Sequence, residues 1–247
     1  MFEKKLHDCK HKTEARLRHR FATIPESNIK DAISYAVLNG GKRLRAFLVW
    51  ESSSIFDIDP VAVEHVAAAV ECLHAYSLVH DDLPSMDNDC LRRGLPTVHV
   101  KWDEATAILA GDALQSLSFE FLSAEDLLLN PTVKLNLINT LAKASGMNGM
   151  VLGQMQDMLF EQRQDHVRVD EISAMQNNKT GKLLQWSAKS GAVMAQKRDS
   201  ALESYSNSLG LAFQITDDIL DIEGLSDELG KTPRKDLIAG KATFVSL

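Results

Sequence analysis

The stretch from Val61 to His80 constrains this chain most. It is rich in alanine and apolar nearly all the way round a helical projection, with Val63, Val66, Ala67, Val70, Leu73 and Leu78 pointing in every direction. A helix with one apolar stripe rests on a surface, whereas one apolar on all sides has to be covered on all sides. The segment therefore predicts a central buried helix with other helices packed around it. Asp31 to Leu38 places Ala32, Ile33, Ala36 and Val37 on one side and stops at Asn39-Gly40-Gly41. Ala105 to Leu122, Val133 to Asp157 and Asp199 to Asp221 read as further helices, and Lys179-Thr180-Gly181-Lys182 opens another. Short polar loops join them at Leu91 to Pro96, Asn130-Pro131 and Glu161 to His166. With only 6 Pro and 13 Gly and few alternating β-branched runs, no convincing strand, repeat or linker is evident. The expectation is an all-α fold, one large helical bundle over residues 1–247.

Charge and cysteine usage narrow the function classes. A net charge of −7 argues against nucleic acid or an anionic membrane as the main partner. No uncharged apolar run reaches the ~18 residues of a spanning helix. The start, Met1-Phe2-Glu3-Lys4-Lys5, leads into no apolar signal core. Cys9, Cys72 and Cys90 are odd in number and far apart, which suits reduced thiols. The expected location is the cytoplasm.

Two acidic clusters end apolar stretches: Asp81-Asp82-Leu83-Pro84-Ser85-Met86-Asp87 and Asp217-Asp218-Ile219-Leu220-Asp221. Carboxylates this close raise one another's pKa unless a cation or hydrogen bonds satisfy them. Mg²⁺ suits such clusters, because it takes one or two carboxylates together with substrate phosphates. Asp217 and Asp221, four apart, share one helix face, with Asp218 about 100° around. Asp81 and Asp87, six apart, could not point the same way on a regular helix. Pro84 lacks a backbone donor and breaks the helix, so the chain is expected to deform there and bring Asp87 back beside Asp81. A lone acidic triplet is usually just a solvated helix end; two, each led in by a buried helix, are harder to dismiss.

Basic groups supply the complementary half. Gly40-Gly41-Lys42-Arg43-Leu44-Arg45 concentrates cations after a helix terminus, Arg92-Arg93-Gly94 follows the first acidic cluster, and Lys179 and Lys182 flank Thr180-Gly181. Guanidinium and ammonium groups are the usual partners of phosphate oxygens. His74 lies two turns before Asp81 on nearly the same face, placed either as a satisfied core histidine or as a donor to an anion. His65 and His80 read as core residues, and His99 is left open.

Together these segments resemble the trans-polyprenyl diphosphate synthases, most closely the bacterial farnesyl diphosphate synthases. The match runs in order through Gly40 to Arg45, Glu71 to Gly94, Gly153-Gln154-Met155-Gln156-Asp157, Lys179-Thr180-Gly181, Phe213 to Asp221 and Gly240-Lys241-Ala242-Thr243-Phe244. The resemblance implies an isoprenoid-synthase helical bundle around a central cavity, a homodimer, and about three Mg²⁺ ions. It implies that Asp81, Asp87 and Asp217 ligate Mg²⁺, supported by Asp82, Asp218 and Asp221. It further implies that Lys42, Arg45, His74 and Arg93 hold isopentenyl diphosphate. Arg92, Lys179, Thr180, Gln214, Lys231 and Lys241 would surround an allylic diphosphate. The reaction implied is head-to-tail condensation to farnesyl diphosphate, with no protein nucleophile.

Tyr76 and Ser77, one turn before the first cluster, are placed to floor the cavity and limit product length; a tyrosine here resembles the enzymes that stop at farnesyl diphosphate. Ala46 stands where the family commonly has Pro, and Asn88 and Cys90 replace common acidic residues. Lys231 sits in an irregular basic loop, and the chain stops at Leu247, short of the family's usual further helices. Geranylgeranyl product, a terpene cyclase and an inactive or regulatory subunit of a heteromeric synthase remain alternatives. Gly40 to Arg45 with His74 and Arg93 argues against the cyclase, which has no second substrate.

Overall fold

The computed structural model describes residues 2–163 and 167–223. They form helices α1 (Phe2–Ala22), α2 (Asn28–Leu38), α3 (Leu44–Ser54), α4 (Pro60–Asp81), α5 (Val98–Lys101) and α6 (Glu104–Ser123). Helices α7 (Pro131–Ser145), α8 (Met150–Glu161) and α9 (Val169–Gln176) follow. A π-helix (Asn177–Gly181) then leads into α10 (Lys182–Met194) and α11 (Ser200–Glu223). The fold is all-α, as the patterning predicts. The strands among the described residues are β1 (Leu91–Arg92) and β2 (Leu95–Pro96), a two-residue antiparallel hairpin in an expected loop. Among the described residues no helix is long and apolar enough to cross a membrane.

The described residues sort into two compact units, one of residues 2–138 with 190–197 and one of residues 139–163 and 167–189 with 198–223. In the first, α4 is the central element. Ala67, Ala68, Ala69, Val70, Cys72 and Leu73 are wholly buried, and α1, α2, α3 and α6 all pack on it. Its start is set by Asp59, which accepts from the Val61 N–H at 2.8 Å, with Pro60 as first helical residue. Ser27 and Asp103 cap α2 and α6 in the same way. His80 on α4 meets the Ile108 carbonyl on α6 at 3.0 Å, and His65 meets the Phe121 carbonyl at 3.1 Å. Both are the packing histidines expected from the sequence.

In the second unit the π-helix packs on α8, α9 and α11. The expected single helix from Val133 to Asp157 is two, interrupted at Gly146 to Gly149. There Gly146 donates to the Ala142 carbonyl and Gly149 to Gly146, closing a tight turn that redirects the chain.

Candidate active site

The first acidic cluster forms where α4 runs out. The helix ends at Asp81, and the Leu83 N–H falls back to the His80 carbonyl at 3.2 Å. Beyond Pro84 the chain turns on itself, so that the Asp87 N–H donates to the Asp81 carbonyl at 2.8 Å. This is the deformation the sequence predicts, and the helix ends outright rather than bulging. It brings the two half-buried aspartates onto one turn. Asp82 goes the other way. It is 4% exposed and receives the Arg92 guanidinium, Nε at 3.0 Å and Nη2 closer still, while Arg92 also reaches Asp89 at 3.4 Å. Burial, countered by Arg92 and reinforced by Asp89 and Asp87, pushes the Asp82 carboxyl above its ordinary pKa. Thr97 closes the loop by donating to the Asp89 carbonyl at 2.7 Å, and its hydroxyl also meets His99 Nδ1 at 3.1 Å. Arg92 is thus committed to the acidic turn.

Arg93 points elsewhere. With Arg93 at φ 56° and Gly94 at φ 76°, the chain turns its guanidinium onto the Gly40-Gly41 loop, where Nη1 donates to the Gly40 carbonyl at 2.9 Å. Gly41 has φ +95°, and a Cβ there would lie 2.7 Å from Arg93 Cζ. Only glycine satisfies both the backbone and the approach. Arg45, half-buried on the first turn of α3, has a buried Nε with no hydrogen-bond partner. Burial draws its pKa down to about 10, with the Glu71 carboxylate opposing and Arg93 adding to the shift. His74 feels Arg45, Arg93, Arg43 and Arg92, and burial plus these charges hold it well below the ordinary imidazole value. It is therefore neutral at pH 7. Lys42 is exposed at the same loop. Arg45, Arg93 and neutral His74 come together with a guanidinium N–H unspent, which an anion would satisfy, while Glu71 offsets part of the charge on Arg45. A solvent-open pocket lies beside Arg93 and is lined in part by Tyr35, Asn39, Asp82, Arg92 and Pro96.

On α4, Tyr76 is half-buried, its ring edge-on to His80 at 5.0 Å. Burial and the nearby Asp81 and Asp112 raise its phenol pKa, against a hydrogen bond with Gln115. Ser77 donates back to the His74 carbonyl at 2.8 Å.

In the second unit, Lys179 and Thr180 lie in the π-helix, and Lys179 Nζ meets Asp157 Oδ2 at 2.5 Å. Asp157, 6% exposed, comes from α8, as does Gln156, which accepts from Asn178 Nδ2 at 3.1 Å. Gly153 lets the two segments touch, since a Cβ there would overlap the Lys179 backbone. Gln214, Asp217, Asp218 and Asp221 lie on α11, their backbone helical and the side chains outside what is described. Lys231 and Lys241 lie outside the described residues.

The donors available fit a hard divalent cation. Asp81 and Asp87 offer carboxylate oxygens on one turn. No group of three His, Cys, Asp or Glu side chains suited to a metal is found among the described residues. Mg²⁺ takes one or two carboxylates and leaves much of its coordination to water and substrate phosphates.

The Polyprenyl synthetase family model matches residues 26–247. The chain belongs to the polyprenyl synthetase family. It is 42% identical to the farnesyl diphosphate synthase of Haemophilus influenzae, over 100% of this chain and 85% of that protein. To that of Escherichia coli it is 43% identical, over 100% and 84%. Among solved structures, an FPP/GFPP synthase from Zymomonas mobilis aligns with a TM-score of 0.86 and 40% identity, covering 99% of this chain and 85% of that one. A Helicobacter pylori geranyltransferase complexed with magnesium and isoprenyl diphosphate aligns at 0.84 and 34%, covering 98% and 82%. This polyprenyl synthetase is a short-chain prenyltransferase.

Sequence reasoning passed over residues that hold candidate side chains in each unit of this family member. Glu71, 2% exposed on α4, accepts from the Ala46 N–H at 3.0 Å and lies 3.5 Å from Arg43. Arg43, grouped with the other cations by its place in the basic run, is 4% exposed and faces inward. Asp157 held Lys179 unremarked within a matched motif. A glutamate set between Val70 and Cys72 in the apolar middle of α4 was the available signal for Glu71.

Proposed function

We propose that this chain condenses isopentenyl diphosphate with dimethylallyl or geranyl diphosphate, releasing diphosphate and yielding (2E,6E)-farnesyl diphosphate. The supporting observation is the buried Arg45 Nε without a hydrogen-bond partner, near Arg93 and neutral His74, a set of donors that an anion would satisfy. Isopentenyl diphosphate would sit there, with Lys42 closing over it and His74 donating to its oxygens. Mg²⁺, held by Asp81, Asp87 and Asp217 with Asp82, Asp218 and Asp221 in support, would neutralise charge growing on the allylic diphosphate as its C–O bond breaks. Lys179, Thr180, Gln214, Lys231 and Lys241 would orient that diphosphate, and Arg92 would hold the acidic turn through Asp82. The apolar surface of α4 would keep water from the allylic cation while the isopentenyl double bond attacks and the resulting cation loses a proton to the released diphosphate. Farnesyl rather than geranylgeranyl length is favoured by Tyr76, a bulky ring beside Asp81. We further propose a homodimer.

The test supplies Mg²⁺, labelled isopentenyl diphosphate and each allylic diphosphate, and sizes the products. A farnesyl-length product that disappears with chelator is expected. No elongation, or cyclic hydrocarbon, refutes the proposal.

A further inference from the structure

Helix α1 precedes the residues that the family model matches, yet one of its side chains reaches the basic loop. Glu14 Oε1 receives Arg43 Nε at 3.2 Å and Nη2 at 3.0 Å. The same guanidinium donates to the Val37 carbonyl at 2.5 Å, and its Nη1 lies 3.5 Å from Glu71 Oε2. Arg43 is almost wholly enclosed, with its backbone in the left-handed region at φ 54°, ψ 41°. That conformation is disfavoured for an L-residue, so the surrounding contacts have to hold it. Arg43 also begins α3, its carbonyl accepting from the Phe47 N–H at 2.9 Å. Its own side chain makes no cap, and Glu71 accepts the orphaned Ala46 N–H instead. Arg45 lies between these two fixed points, and Gly41-Lys42 leads directly into the first.

We propose that Glu14 and Glu71 are positioning residues for the isopentenyl diphosphate subsite, acting through Arg43 to set Arg45 and Lys42. In this reading Arg43 is spent on structure, because both carboxylates occupy its fork. Glu71 also stands one turn before His74 on α4, so one carboxylate steadies two walls of the subsite. The inference rests on the reading that Lys42, Arg45, His74 and Arg93 hold isopentenyl diphosphate. It adds that the amino-terminal helix belongs to that subsite's support.

The experiment measures kcat and both KM values, with thermal melting, for wild type and for Glu14→Ala, Glu14→Gln, Glu71→Gln and Arg45→Ala. Loss of a hydrogen-bonded charge partner typically shifts an equilibrium by about tenfold or more. Glu14→Ala is therefore expected to raise the KM for isopentenyl diphosphate about tenfold, leaving the allylic KM and the saturated kcat within twofold. Glu14→Gln, which keeps an oxygen for Arg43, is expected to recover most of the loss. Glu71→Gln is buried and can fail to fold; Glu14, near the surface, carries the test in that event. A lower melting temperature with both KM values unchanged, or raised together, overturns the proposal while Arg45→Ala still raises the isopentenyl KM. An unchanged isopentenyl KM in Arg45→Ala overturns the subsite reading itself.

Discussion

Replacing Gly41 with alanine separates backbone strain from displacement of a charged group. Gly41 holds φ +95°, and an added Cβ would stand 2.7, 2.8 and 2.9 Å from three atoms of the Arg93 guanidinium. The backbone penalty is about 1–3 kcal/mol for a non-glycine residue in such a region. The guanidinium is the free end of a long side chain, so it would swing away and break its 2.9 Å bond to the Gly40 carbonyl. A hydrogen bond to a charged group contributes about 1.5–3 kcal/mol, and every ~1.4 kcal/mol is tenfold in affinity. The KM for isopentenyl diphosphate is therefore expected to rise roughly 10- to 100-fold, with the allylic KM little changed. Gly40→Ala is the control. Gly40 also has positive φ, +81°, but its Cβ would meet only Arg93 Cδ at an ordinary 3.7 Å. Both variants should melt lower, by about 2–4 °C per kcal/mol at this size. Only Gly41→Ala should disturb the kinetics. Equal kinetic defects in the two would refute the account of Arg93.

Tyr76→Ala should lengthen the product beyond farnesyl, read by chromatography of the dephosphorylated alcohols; an unchanged profile would remove Tyr76 from the cavity floor. Gly153→Ala should destabilise the packing of α8 on the π-helix and lower kcat, because the added methyl meets backbone at Lys179; a wild-type melting curve would show that this contact yields easily. Burial, with Arg45 nearby, lowers the His74 pKa, and burial, with Arg16 nearby, lowers that of His65. The folded protein then binds fewer protons than the unfolded chain, so stability is full above pH 6.5 and is lost as pH falls below it. The slope reaches at most about 1.4 kcal/mol per pH unit for each histidine. Denaturant melts at pH 7.5 and 5.5 should show the loss, and His74→Gln should reduce it. A flat dependence would contradict it.

Much of the fold was legible because its helices advertise themselves. Val61 to His80 needed burial on all sides, and α4 runs Pro60–Asp81; Ala105 to Leu122 became α6, Glu104–Ser123. The unread elements owe their structure to distant partners. In α1 the buried residues Cys9, Thr13, Leu17 and Phe21 recur every four positions but are hemmed in by lysines, arginines and histidines. Helix α3 takes its cap from Glu71, 25 positions along the chain, which no local window contains. At the site, spacing and Pro84 foretold the return of Asp87 to Asp81. The inward turn of Arg43 and the commitment of Arg92 to Asp82 depended on which cation meets which buried carboxylate. A run of like charges does not say which of its members will be spent on structure.

The π-helix at Asn177–Gly181 acts as a spacer in the register of the chain. A π turn closes i to i+5 where an α turn closes i to i+4, so it holds one residue more than the helix on either side needs. Deleting a single residue there would let α9 and α10 fuse into one continuous α-helix without unfolding either. Everything before the deletion would then rotate by about 100° relative to everything after it. Lys179 and Asn178 would leave Asp157 and Gln156, while the apolar stripe of α10 stayed where it was. In this enzyme one surplus residue, rather than a loop, sets where the ammonium group faces.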